Sequence, residues 1–143
     1  MQPLTAFARI SGDTVQGTVK FLQRRDGVLI TAEITGLPQT GFFGFHIHEG
    51  KRCGGMKFSE TGSHFNPQNT AHPDHAGDLP PLLSAGGKAY LSVLTNRFSL
   101  AQVMGRTVVI HSRADDFTTQ PAGNSGEKIA CGVIGRGQFH IVE

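Results

Sequence analysis

No tryptophan occurs in this chain of 143 residues, and long apolar helical patterns are scarce. No apolar run approaches the ~18 residues of a helix that crosses a membrane, so no membrane partner is expected. There is no dense Lys/Arg run, and the net charge is only +2. Nucleic-acid binding therefore has little to rest on. The opening stretch, MQPLTAFARISG, lacks the charged and apolar regions of a signal peptide. Two expectations follow, a cytoplasmic chain made without one or the mature form of a secreted or periplasmic protein. No internal repeat, low-complexity tract or domain boundary interrupts the sequence. Its length fits one domain over residues 1–143, large enough to bury a core without help from a metal or disulfide. Cysteine is nearly absent. Cys53 and Cys131 are the only two, and alone they are as readily two free buried thiols as a pair.

Glycine is abundant, with 19 residues, which suits many strands joined by turns. The first half alternates with period two. Leu4, Ala6, Ala8 and Ile10 share one face of a first segment. Val15, Gly17, Val19 and Phe21 share one face of a second, and Val28, Ile30, Ala32 and Ile34 of a third. Turn residues at 11–13, 25–27 and 36–38 separate them. The pattern predicts an antiparallel sandwich or barrel. In the fourth segment Phe43, Phe45 and Ile47 alternate with Gly44, His46 and His48. Side chains alternate across a strand, so the two imidazoles should project together away from the core. Periodicity then fades from Glu49 to about Ser84, a long irregular stretch of the functional kind. Strands return at 87–95 and 106–111, joined by a linker with a predicted helical turn. A second irregular loop spans 112–128, and a last strand at 130–135 is expected to pair with the tail QFHIVE.

Five of the seven histidines, His46, His48, His64, His72 and His75, crowd into 30 residues, where even spreading would put one or two. Imidazole suits copper and zinc. His46 and His48 by themselves could be ordinary surface residues. HPDHAGD is more suggestive, because His72, His75 and Asp78 recur every third residue. Two nitrogens, one oxygen and a fourth ligand would make a tetrahedral zinc site; the alternative is a solvated polar turn. His111 ends an apolar strand and His140 lies near the C-terminus, places where a histidine is commonly structural.

The motifs GFHIHEG, GSHFNP, HAGDLP, VVIHSRADD and GNSGEKIACGVIG occur in this order. Together they closely resemble the signature segments of Cu/Zn superoxide dismutases, and the likeness covers almost the whole chain. The resemblance implies an all-β fold, a Greek-key antiparallel β-sandwich or flattened eight-stranded barrel with two long functional loops. It implies copper held by His46, His48, His64 and His111, and zinc held by His64, His72, His75 and Asp78. His64 would be an imidazolate bridging both ions, since two flanking cations favour loss of its second proton. Asp115 would accept hydrogen bonds from His46 and His72, orienting both rings. Cys53 and Cys131 would form a disulfide closing a loop of 78 residues (131 − 53). In the chain-entropy account such a closure contributes about 4–5 kcal/mol.

The implied activity is disproportionation of superoxide to dioxygen and hydrogen peroxide. Copper would cycle between Cu(II) and Cu(I), and His64 would act as ligand and then proton donor. The alternative is a non-enzymatic copper- or zinc-handling protein with a dismutase-like domain. Three features depart from the usual pattern. Lys128 stands three residues before the last cysteine, where most members have an arginine that guides the anion. Lysine keeps the charge without the planar fork of donors, so activity should persist with weaker anion positioning. The loop between Asp116 and Gly123 is short and lacks several usual steering charges. Arg113, Lys51 and Arg52 are expected to be solvated. The zinc loop is short too, with two residues between His72 and His75, and Pro73 restricts its backbone. GVIGRGQF resembles a segment some relatives use in a homodimer contact, although a strand edge and turn would look the same.

Overall fold

The computed structural model describes residues 4–137. The period-two segments form the expected strands. They are β1 (Thr5–Gly12), β2 (Gln16–Gln23) and β3 (Val28–Thr35), an antiparallel meander. Ala6, Ala8, Ile10, Val19, Phe21, Val28, Ile30, Ala32 and Ile34 are all buried. Each fully buried Ile or Phe contributes roughly 1.5–3 kcal/mol relative to exposure, which fixes the register, since a one-residue slip would turn the whole set to water.

The fourth segment is split at Gly44 into β4 (Gly41–Phe43) and β5 (Phe45–His48). The Gly44 amide donates to the Arg113 carbonyl, and its own carbonyl accepts from His111, both at 2.8 Å. The chain changes sheets at this point. β4 pairs with β6 (Leu82–Ser84), whereas β5 pairs with β8 (Thr107–His111). The remaining strands are β7 (Ala89–Thr95) and β9 (Lys128–Arg136). The larger sheet has the order β5-β8-β9-β1-β2-β3-β7. Counting the bent β4–β5 segment as one strand gives the expected eight; the described residues form nine strands because the bend breaks the ladder. β9 begins two residues earlier than predicted, at Lys128. Its proposed partner QFHIVE and His140 lie outside the described residues, as does the end of GVIGRGQF.

The predicted helical turn is present as α1 (Leu100–Val103). The Ser99 amide donates to Gln102 Oε1 at 2.8 Å, and Leu100 and Val103 enter the core. The irregular stretch after β5 holds a 3-10 turn, Met56–Thr61, interrupted by left-handed Lys57 and Phe58. Cys53 and Cys131 form a disulfide that ties this stretch to β9. Among the described residues no helix is long and apolar enough to cross a membrane.

Candidate metal centre

β5 is the outermost strand of the larger sheet, so one of its edges lacks a strand partner. The irregular loop occupies that edge. Ile47 donates its amide to Gly77 and accepts from the Phe65 amide, both at 2.8 Å, and Gly77 donates to Phe65 at 2.9 Å. This places His64 opposite His48, and Asp78 opposite His46. Residue 77 must be glycine for so close an approach, because a Cβ there would stand 2.3 Å from the Ile47 carbonyl oxygen. Phe65 is buried and carries the Arg106 guanidinium 4.7 Å above its ring, which anchors the loop.

Alternation correctly sends His46 and His48 to the face opposite Phe45 and Ile47. The surface reading of the pair is overturned, however: the loops cover both rings, leaving them 0% and 1% exposed. β8 delivers His111 at its last position, where the β8–β9 ladder shifts register and sets His111 against Lys128. Among the described residues three clusters result, each with potential ligand atoms within 4.8 Å of one another. The first is His46, His48, His64 and His111; the second is His64, His72, His75 and Asp78; the third is His46, His72 and Asp115.

Hydrogen bonds select the tautomers. His46 and His72 donate from Nε2 to the two oxygens of Asp115, at 2.8 and 2.7 Å. That leaves the Nδ1 lone pair of each ring, and both Nδ1 atoms are buried without a hydrogen-bond partner. His72 Nδ1 does lie 3.0 Å from Asp78 Oδ2, but without hydrogen-bond alignment, so it still needs a positive partner. His48 donates from Nδ1 to the Gly62 carbonyl at 2.9 Å, and His111 faces the Gly126 carbonyl from Nδ1 at 3.4 Å. The Nε2 atoms of His48 and His111 then meet at 3.1 Å. Two lone pairs at that distance repel unless they share a proton or a cation. His64 Nδ1 lies 2.8 Å from Asp78 Oδ1 and 3.3 Å from His75 Nδ1, while its Nε2 is buried without a partner. The ring thus turns one nitrogen to each cluster. Buried lone pairs with no donor are what a metal ligand set requires.

Electrostatics favour the ligand forms. Burial lowers His46, His48 and His75, and lowers His111 to about 3. A neutral imidazole is the metal-binding form. Burial pushes the Asp115 carboxyl up, but hydrogen bonds from His46, His72 and the Phe117 amide together outweigh it and hold the group ionised. Asp78 behaves alike, with His64 and then His72 and His75 outweighing burial. Gly123 closes over this contact with φ +70°, and a Cβ on it would stand 2.0 Å from Asp115 Oδ1 and 2.5 Å from His72 Nε2.

Lys128 is half-buried. Its ammonium donates to Thr61 Oγ1 at 2.8 Å and to the Gly62 carbonyl at 3.0 Å. Gly62 therefore serves both Lys128 and His48. Burial is the main obstacle to protonating His48 and His111, and the ammonium adds to it. Lys51, Arg52 and Arg113 are exposed, as expected.

The family profile described as copper/zinc superoxide dismutase (SODC) matches residues 15–134. The chain belongs to the copper/zinc superoxide dismutase family. It is 40% identical over 126 residues to "Superoxide dismutase [Cu-Zn]" of Legionella pneumophila, covering 82% of this chain and 76% of that one. It is 36% identical over 151 residues to "Superoxide dismutase [Cu-Zn] 2" of Aquifex aeolicus, covering 93% and 88%. Among solved structures, the crystal structure of the clock protein EA4 superposes with a TM-score of 0.85 at 37% identity, covering 94% of this chain and 96% of that one. The dismutase uses copper and zinc to disproportionate superoxide to dioxygen and hydrogen peroxide. No observation supports a metal-handling protein without that activity.

Sequence reasoning reached every member of the three clusters. It missed Arg97, Gln120, Gly77, Gly123, Thr61 and Gly62. Most of these act through or upon backbone, which leaves no mark in side-chain periodicity.

Proposed function

We propose that the first cluster, His46, His48, His64 and His111, holds the copper of this dismutase. The second, His64, His72, His75 and Asp78, holds the zinc. The single observation that carries this reading is the set of buried, partnerless nitrogens: His46 Nδ1, His64 Nε2 and His72 Nδ1. Each belongs to a ring whose other nitrogen is already engaged. Copper supplies electron exchange by alternating between Cu(II) and Cu(I), and zinc supplies positive charge without redox change.

The chain's own residues then have distinct tasks. Asp115 holds His46 and His72 in the tautomers that expose Nδ1. The Gly62 and Gly126 carbonyls do the same for Nε2 of His48 and His111. His64 carries a proton on Nε2 in one half-cycle and delivers it to the product in the other. Across both half-cycles two superoxides and two protons become one dioxygen and one hydrogen peroxide. Lys128, held by Thr61 and Gly62 beside His48 and His111, attracts and positions the anion.

The test is superoxide decay with protein loaded with both metals, beside His64→Ala and Lys128→Ala. The loaded protein should be far faster than buffer, His64→Ala near background, and Lys128→Ala about 10-fold slower in kcat/KM, within the range of electrostatic steering. Loaded protein no faster than buffer would end the proposal. Metal analysis of the same samples should return one copper and one zinc per chain.

A further inference from the structure

The zinc-side turn is gripped by two side chains from distant parts of the fold. Gln120, in the loop between β8 and β9, forms a reciprocal pair with the His72 backbone: the His72 amide donates to Gln120 Oε1 at 2.9 Å, and Gln120 Nε2 donates to the His72 carbonyl at 2.7 Å. Arg97, just after β7, reaches the turn from another side. Its Nη1 donates to the Pro73 carbonyl at 2.8 Å and to the His75 carbonyl at 3.2 Å, and its Nη2 lies 3.6 Å from the Asp74 carboxylate. Together the two side chains hold four consecutive residues, 72 to 75, without touching any ligand atom.

We infer that Arg97 and Gln120 are positioning residues that pre-organise the shortened zinc turn for metal capture. The inference rests on the ligand assignment above. Within the turn the main chain makes only short-range bonds, from the Asp74 amide to the Ala71 carbonyl at 2.8 Å and from the Asp78 amide to the His75 carbonyl at 3.0 Å, with Thr70 Oγ1 donating to the Asp74 carbonyl at 2.8 Å. The turn pairs with β5 only from Gly77 onward, through Gly77 and Asp78. Without these two side chains residues 72 to 75 would pay more of the entropy of ordering when zinc binds. Two forked groups, each making two bonds to main chain, remove that freedom beforehand. Their charges do not explain the arrangement: the Arg97–Asp74 pair is exposed at 41% and 74%, where an ion pair contributes little. The carbonyl contacts are the informative ones, and they demand a guanidinium and an amide rather than a charge.

The experiment uses the full-length chain with copper and zinc removed and then titrated with zinc against a chelator. Cobalt(II) provides a second readout, because its visible bands report the geometry of its ligands. Arg97→Ala and Gln120→Ala should each weaken zinc binding by about 10–100-fold, as loss of groups behind metal ligands generally does. Copper affinity should stay within a few-fold of the parent chain. The cobalt bands should shift and weaken as the ligands loosen. Arg97→Lys and Gln120→Glu are milder variants that keep size and solubility. Lysine reaches one carbonyl at a time, and glutamate cannot donate to the His72 carbonyl, so each should restore only part of the affinity. Parental zinc affinity and parental cobalt bands in these variants would overturn the inference. Equal weakening of copper and zinc would do so too, since it marks general destabilisation. His75→Ala separates this from the ligand assignment. If it binds zinc like the parent chain, the assignment itself fails; if it loses zinc while the Arg97 and Gln120 variants keep it, only the positioning role falls.

Discussion

Two histidine clusters sit side by side, yet they are built differently. The proposed copper-side ligands His46, His48 and His111 ride on paired strands β5 and β8, whose ladder sets their spacing. The proposed zinc-side ligands His72, His75 and Asp78 ride on a loop whose backbone is bonded by the Arg97 and Gln120 side chains. A ladder supplies rigidity from many identical bonds. A loop gets it only where particular residues provide it, so the two halves should respond differently to perturbation.

The largest effect should come from Asp115, which accepts a hydrogen bond from one ring in each half. Asp115→Ala frees the His46 and His72 rings at once, and should lower affinity for both metals by about 10–100-fold, as measured by competition titration. Unequal losses, greater at zinc, would show how far the ladder alone can orient His46. Gly123→Ala comes next. A Cβ there meets Asp115 and His72 in a left-handed backbone region, so zinc affinity should fall by about 10-fold or more while copper affinity changes less. If copper suffers equally, the two halves are not separable.

The sheet side can be probed by pH in the metal-free protein. His48 and His111 are lowered by burial, His111 to about 3. Below about pH 6.5 the unfolded chain takes up protons that the folded chain refuses. Stability should therefore hold above pH 6.5 and fall progressively as pH drops toward 3. The slope of that fall grows with the number of histidines that stay neutral in the folded chain. Urea midpoints across pH 7 to 4 read it out, and His111→Ala should flatten the slope. The smallest effect should be Glu127→Gln. Its exposed pair with Lys57, at 3.0 Å, adds little to stability. Removing that negative charge next to Lys128 should raise kcat/KM by about 2-fold or less at low salt, and the gain should vanish at high salt.

The sheet half was the more legible in sequence, for the same physical reason. A ladder imposes period two, so Phe45 and Ile47 announced which way His46 and His48 would face. What alternation could not show was burial, because the covering residues come from loops without a period. The break at Gly44 was equally hidden: it arises from hydrogen bonds to Arg113 and His111, far along the chain. On the zinc side the ligand types were visible in HPDHAGD, but the resemblance to a family was needed to choose them over a solvated turn. Arg97 and Gln120 were invisible. Each binds carbonyl or amide groups that every residue possesses, so no spacing rule singles them out.

The two proposed ligand sets also differ in their reach along the chain. His64, His72, His75 and Asp78 come from one stretch, residues 64 to 78. The other set draws on residues 46, 48, 64 and 111 and needs β5 already paired with β8. Closing a longer span costs more chain entropy, and distant pairings form late in folding. The loop set is closed within one short stretch but is still oriented by Arg97, Asp115 and Gln120 from later in the chain, whereas the copper-side set needs two remote strands joined.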